Sequence, residues 1–162
     1  MDSKLIIGIG EFKAAKNPSI LVTLGLGSCV GVCLRDSASG IGGLIHVMLP
    51  DSGGKVVNKP GKYADLGIPK LLEEMAKLGA NISRLEAKMA GGAAMFKNTG
   101  SSMEVGKRNV EAIRKVLASK RIRLLSEDTG GNRARSIEFT VESGVLRIRK
   151  VGGGETTEMI EI

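Results

Sequence analysis

The amino-acid sequence predicts a mixed α/β (α+β) fold, and three observations point there. Residues 63–78 and 110–117 carry apolar side chains at helical spacing. Most of the remaining chain is made of short runs rich in Val, Ile and Leu, each bounded by glycine or other turn residues. With 162 residues, no Trp, one Tyr and three Phe, an aliphatic core must do the packing. A single domain over residues 1–162 is expected, burying roughly 68–70% of the chain's surface. No internal repeat or linker interrupts it.

Residues 5–9 and 11–15 read as short strands around Gly8 and Gly10, followed by a turn at Asn17-Pro18. Residues 21–24 are β-rich and stop at Gly25-Leu26-Gly27, directly before Ser28 and Cys29. Residues 30–35 are apolar without a gap, which suits a strand buried on both faces. A turn at 36–40 leads to a returning strand, with Leu44, His46 and Met48 on one face and Ile45 and Val47 on the other. Residues 50–61 are a loop of breakers, open to reading as a lid, a substrate contact or a plain connection. The first helix sets Ile68, Leu71, Leu72, Met75 and Leu78 on one face and stops at Gly79, with Pro69 in its first turn or at a kink. Residues 82–89 alternate as a strand closed by Gly91-Gly92, and 97–102 read as a polar loop. Val110, Ile113, Val116 and Leu117 mark the second helix. Strands are expected again over 122–125, 135–142, 145–151 and 156–162, with a turn at Ser143-Gly144.

The formal net charge is +7, and basic residues crowd 115–123, 133–135 and 147–150. Such a balance calls for an acidic partner. Nucleic acid is disfavoured, because aromatics on which bases would stack are nearly absent. No apolar run approaches the roughly 20 residues of a membrane span, and no signal-peptide core opens the chain. Membrane insertion is therefore not expected, and a soluble, cytoplasmic protein is. There the two cysteines are free thiols. On an extended strand Cys29 and Cys33 would stand ~13 Å apart, beyond the roughly 7 Å that a disulfide spans.

The stretch 21–48 holds both cysteines and the chain's one histidine. Two strands joined by a short turn bring Cys29 and His46 near each other, which is the minimum for thiol catalysis. Cys33, inside the apolar run, reads as core. On composition Cys29 reads more often as an inert core residue, and its place after a glycine-rich bend shifts the balance toward a nucleophile. Peptide N–H groups around Gly27 and Ser28 can converge there on an oxyanion. If a thiol reacts, His46 is the base, and Thr23 can orient it by its hydroxyl or by its backbone carbonyl. One histidine and two cysteines cannot build a structural zinc site without carboxylates, so no metal is expected. Gly25-Leu26-Gly27 lacks the third glycine of a dinucleotide loop, and no Gly-Lys pair is followed by Ser or Thr. Ser28 fails the nucleophile-elbow pattern, since Leu26 stands where glycine should be. A polar loop over 127–136 offers Thr129, Asn132 and Arg133 to grip an amide or carboxylate. Alternatively, Asp128 pairs with Arg133 and merely holds a turn.

Three segments taken together, Thr23-Leu-Gly-Leu-Gly-Ser-Cys29, Gly43-Leu-Ile-His-Val-Met-Leu-Pro50 with its Asp-Ser-Gly-Gly tail, and Glu127-Asp-Thr-Gly-Gly-Asn-Arg-Ala-Arg135, resemble the CheD family of chemoreceptor glutamine deamidases. The likeness runs over residues 7–155. It includes Lys59-Pro-Gly-Lys-Tyr-Ala-Asp65, Ala90-Gly-Gly-Ala93, Arg108-Asn109 and Val151-Gly-Gly-Gly154. The resemblance implies a cysteine–histidine–threonine triad on Cys29, His46 and Thr23. It implies β-sheets packed face to face with helices on one side, as in deamidating toxin domains, and no cofactor. Members convert particular glutamines of methyl-accepting chemotaxis receptors to glutamate, some hydrolyse glutamyl methyl esters, and many bind a CheC-type phosphatase. The rival expectation is a non-catalytic module that regulates such a phosphatase. For an acidic helical receptor, Arg121, Arg123, Arg133 and Arg135 read as a steering face, or else as internally paired surface.

Overall fold

Strands buried on both faces need a layer above and a layer below, and the chain supplies both. A computed structural model describes residues 3–94, 100–152 and 156–162. Its strands are β1 (Ser3–Ile6), β2 (Phe12–Lys16), β3 (Ser19–Leu26), β4 (Val30–Asp36), β5 (Ile41–Val47), β6 (Glu86–Gly91), β7 (Arg123–Thr129), β8 (Ala134–Thr140), β9 (Leu146–Val151) and β10 (Glu158–Glu161). Its helices are α1 (Ala64–Leu78) and α2 (Gly100–Ser119). One sheet runs β1-β3-β8-β9-β10 and the other β2-β5-β4-β6-β7. Within them β1 and β3 are parallel, as are β6 and β7, and the remaining pairs are antiparallel.

The two sheets pack face to face, and both helices cover the outer side of the second sheet. The second sheet is thus the middle layer, and alternation along β4 sorts its residues. Val30, Val32 and Leu34 pack under Ile68, Leu71, Met75 and Ile113 of the helices. Cys33 faces the other way, beside Leu44, Phe139 and Ile148 between the sheets. The expected face-to-face sheets with helices on one side are therefore present, and the gapless apolar run at β4 is explained by its two covered faces.

Three local expectations change, and one left open, the place of Pro69, is decided for the longer helix begun next to Tyr63. Residues 82–84 form a 3-10 turn before β6, because the Asn81 side chain accepts from the Ser83 N–H at 3.0 Å and from its hydroxyl at 2.6 Å. That local bonding outcompetes the strand ladder. The first strand ends at Ile6, although the Ile7 N–H still reaches the Val22 carbonyl at 2.7 Å. Pro69 sits inside α1 past its first turn, where its missing N–H gives up one helical bond. The polar loop expected over 97–102 lies partly outside the described residues, and from Gly100 the chain is already helical.

One absent side chain sets the spacing of the sheets near the chemistry. Gly31 pairs with His46 across β4 and β5. A Cβ there would lie 2.6 Å from Ile137 Cδ1 and 3.4 Å from Thr23 Cγ2 of the facing sheet. Gly31→Ala should therefore cost about 1–3 kcal/mol through overpacking, read as a lowered denaturation midpoint with an unchanged m-value.

Candidate active site

His46 and Thr23 belong to different sheets and are both fully buried. They meet across the interior, Thr23 Oγ1 lying 2.7 Å from His46 Nδ1. The Thr23 hydroxyl has one proton, and it donates that proton to the main-chain oxygen of Ile7 at 2.6 Å. The contact with His46 must then use a hydroxyl lone pair, so Nδ1 carries the imidazole proton. This leaves Nε2 as the basic nitrogen, buried and without a hydrogen-bond partner among the described residues. Of the two ways open to Thr23, the geometry is that of the hydroxyl, which contacts the ring and is itself held by a carbonyl, that of Ile7.

The same crossover, residues 7–11, clasps the histidine's backbone. Gly10 N–H donates to the His46 carbonyl at 3.0 Å, and His46 N–H donates to the Glu11 carbonyl at 3.1 Å. Behind it, the 3-10 turn at Pro60–Lys62 receives Met48 N–H and Leu49 N–H on the Lys62 carbonyl, both at 2.8 Å. The loop over 50–61 is pinned as well, since Ser52 binds the Asp65 carboxylate through its N–H at 3.0 Å and its hydroxyl at 2.9 Å.

Cys29 precedes β4, is half-buried, and packs against the inter-sheet core that holds His46 and Thr23. Its bend is gripped from one side. The carbonyls of Gly27 and Cys29 accept from Ala93 N–H at 2.8 Å and Gly92 N–H at 2.9 Å. The Ser28 carbonyl accepts from Asn109 Nδ2 at 2.9 Å, and the same amide donates to the Met48 carbonyl at 3.0 Å. Asn109, on α2 and fully buried, thereby ties the cysteine bend to the end of the histidine strand. As a site residue it escaped the sequence reading, in which Arg108-Asn109 stood only as part of the family likeness. No spacing rule predicts that a helix residue 81 positions downstream bonds a loop carbonyl.

Burial sets the charge states. It pushes the Cys29 thiol up and brings His46 from 6.5 down to about 4. At neutral pH the pair rests as thiol and neutral imidazole. Burial pushes Cys33 far above the usual thiol range despite nearby Lys88, so it stays an unreactive core thiol. No group of three or more His, Cys, Asp and Glu side chains suited to a metal occurs among the described residues.

The loop after β7 sits one step further out. Gly130 N–H donates to Gly91 and Ala94 N–H to Gly131, so the loop braces the segment that grips Cys29. Thr129 Oγ1 donates to Glu127 Oε1 at 2.6 Å, Asn132 is exposed, and Arg133 is tied to the Thr156 and Lys150 carbonyls and to Glu158. The Asp128–Arg133 pair, one of the two alternatives for this loop, is replaced. Asp128 binds Arg135 Nε and Lys150 Nζ, both at 3.1 Å, because Arg135 points inward beside Gly91 and is 3% exposed. The steering face of four arginines does not form either: Arg133 and Arg135 are consumed inside the fold, and Arg123 pairs with Glu86.

Residues 48–150 match the family profile described as CheD chemotactic sensory transduction. A Thermotoga maritima protein named chemoreceptor glutamine deamidase CheD is 59% identical over 159 residues, 98% of this chain and 99% of its own. The chain belongs to the CheD family. Members named probable chemoreceptor glutamine deamidase CheD include one from Clostridium novyi, 50% identical over 91% of this chain and 93% of its own. Another is from Thermococcus kodakarensis, 46% identical over 95% of this chain and 97% of its own. A crystal structure of a Neisseria meningitidis protein of family DUF152 shares the fold, with a TM-score of 0.53 over 85% of this chain and 75% of that one at 9% identity. No helix among the described residues is long and apolar enough to cross a membrane.

The lowered His46 pKa has a consequence for stability. Between pH 4 and 6.5 the unfolded chain binds a proton at His46 that the folded chain refuses. Its contribution is fully present above pH 6.5 and is lost as pH falls toward about 4. Denaturant titrations across that window should show a decline that His46→Gln removes in part.

Proposed function

We propose that this chain is a cysteine-dependent protein-glutamine deamidase acting on methyl-accepting chemotaxis receptors. The observation that carries the reading is the run of hydrogen bonds from His46 Nδ1 through Thr23 to Ile7, which leaves Nε2 as a base in the layer against which Cys29 packs. The name shared by the relatives, chemoreceptor glutamine deamidase, supplies the substrate class.

In this mechanism Cys29 is the nucleophile, His46 the base and then the acid, and Thr23 the residue that orients it. As Cys29 Sγ bonds to the glutamine side-chain carbonyl carbon, its proton passes to Nε2 and the carbonyl π pair moves to oxygen. Proton transfer is concerted with attack, because burial favours the neutral form of both partners. The N–H groups around Ser28 and Cys29 receive the oxyanion. Collapse expels the amide nitrogen, which takes the proton from Nε2 and leaves as ammonia. Water then attacks the thioester, gives a proton to Nε2, and releases glutamate while the thiol is restored. A glutamyl methyl ester would pass through the same thioester with methanol as leaving group. Thr129 and Arg133 act on substrate only through the shape of their loop, since both are already engaged, whereas the exposed Asn132 is placed to grip a substrate amide or carboxylate. A CheC-type phosphatase is the regulatory partner this reading carries.

Mass spectrometry of receptor cytoplasmic fragments, with ammonia release, tests the reaction. Cys29→Ala should abolish conversion with the fold retained, whereas Cys33→Ala should keep it. An inactive parent would leave binding to the phosphatase as the chain's role. Thr23→Val should lower kcat about 10- to 100-fold by freeing the imidazole to adopt the wrong tautomer, and Thr23→Ser should restore most of it. The acid limb of kcat/KM should fall near pH 4 rather than 6.5, as set by His46 in the free enzyme.

A further inference from the structure

Three successive carbonyls, those of Gly27, Ser28 and Cys29, are held by donors of one wall, built from residues 92–93 and from α2. The first and third are held by backbone N–H groups and the middle one by a side chain, that of Asn109. The peptide bonds here are trans, the cis bond of the described chain being Asn17-Pro18. In a trans peptide the N–H points opposite to the C=O. Gripping the Ser28 carbonyl therefore aims the Cys29 N–H away from the wall. Gripping the Gly27 carbonyl does the same for the Ser28 N–H.

Asn109 is well placed to hold that plane. Both of its N–H bonds are made, at 2.9 Å to Ser28 and 3.0 Å to Met48, while Oδ1 is buried without a partner among the described residues. A buried amide kept with an unmet acceptor points to a role beyond stability. The helix is seated closely enough to transmit it. Gly106 lies one turn earlier on the same face, and a Cβ there would fall 2.6 Å from the Gly92 oxygen and 2.7 Å from the Ala93 oxygen.

We propose that Asn109 is a positioning residue for the oxyanion, fixing and polarising the Ser28–Cys29 peptide so that the Cys29 N–H meets the developing negative charge. It acts through that peptide and touches no reacting atom. The inference rests on the deamidase reading and adds a residue to it. When Sγ bonds to the carbonyl carbon, the π pair collects on oxygen, and a donor aligned in advance stabilises that charge without reorganising. Donation to the Ser28 carbonyl also strengthens the N–H of the same peptide.

The test compares a reaction that forms an oxyanion with one that does not. Deamidation of a receptor fragment forms it; alkylation of Cys29 by iodoacetamide, a displacement at saturated carbon, does not. Asn109→Asp removes both donors at nearly constant volume. Its kcat should fall about 10- to 100-fold, within the range for lost oxyanion donors. KM should stay near the parental value, and the Cys29 alkylation rate should stay within about twofold. Gly106→Ala, which lifts α2 without altering any hydrogen-bonding group, should show the same split more weakly. Protection of buried Cys33 from iodoacetamide reports the native fold in each sample. If Asn109→Asp exposes Cys33, Gly106→Ala decides the matter by the same two readouts. Alkylation falling in step with kcat would overturn the proposal in favour of thiol placement, and a parental kcat would overturn it outright. A parent protein that releases no ammonia would refute the deamidase reading and this proposal with it, whereas an active parent with unaffected variants refutes the role of Asn109 alone.

Discussion

The site depends on one hydrogen bond, donated by His46 of one sheet to Thr23 of the other in the buried interior. An imidazole buried there without a partner on Nδ1 would lose on the order of 1–3 kcal/mol, and its proton would have no preferred nitrogen. Thr23 settles both matters, and the Ile7 carbonyl settles Thr23 in turn. The bond needs the sheets to approach closely at that level. Gly31 permits this, because its register partner is His46 and no side chain stands between them and the facing sheet. The cost left unmet is at Nε2, which has no hydrogen-bond partner among the described residues.

Rigid layers make such a bond reproducible. His46 sits on β5, whose two faces are covered by helices and by the other sheet, so its backbone has little room to move. The crossover over residues 7–11 clamps the same residue from the open edge. Cys29, by contrast, lies in a bend outside any ladder, anchored through the carbonyls of Gly27, Ser28 and Cys29. The histidine on its strand is thus held in one orientation, while the half-buried cysteine sits on a bend at the edge of the same core.

The net charge of +7 does not translate into a cationic face built from arginines of the glycine loop. Arg135 is buried against Asp128 and the Gly91 carbonyl, and Arg133 closes β9 and the last segment together. These cations shape the support under residues 91–94. The pairs nearer the surface, Arg123–Glu86 and Arg147–Glu161, are exposed on both sides and belong to a class worth about 0–1 kcal/mol each.

Local patterns determined much of this protein. The doubly buried β4, the alternation of β5, the apolar stripe of α1 and its glycine stop were all legible because each follows from a repeat of two or 3.6 residues. Cys29, His46 and Thr23 stood out because the chain has one histidine, and a short turn brings its strand back to the glycine bend. The sequence alone left the tautomer of His46 open, since that depends on where the Thr23 proton goes, and it goes to a residue 16 positions away. The inward turn of Arg135 was equally invisible, because no pattern in a loop distinguishes a solvated arginine from one folded under a neighbouring strand end. Asn109 is the sharpest case. Helical spacing gives it no partner, and only the packing of α2 against residues 91–93 makes it a buried donor between Ser28 and Met48. Periodicity determines which face of an element is covered, but hydrogen-bond partners brought together by tertiary packing decide the chemistry.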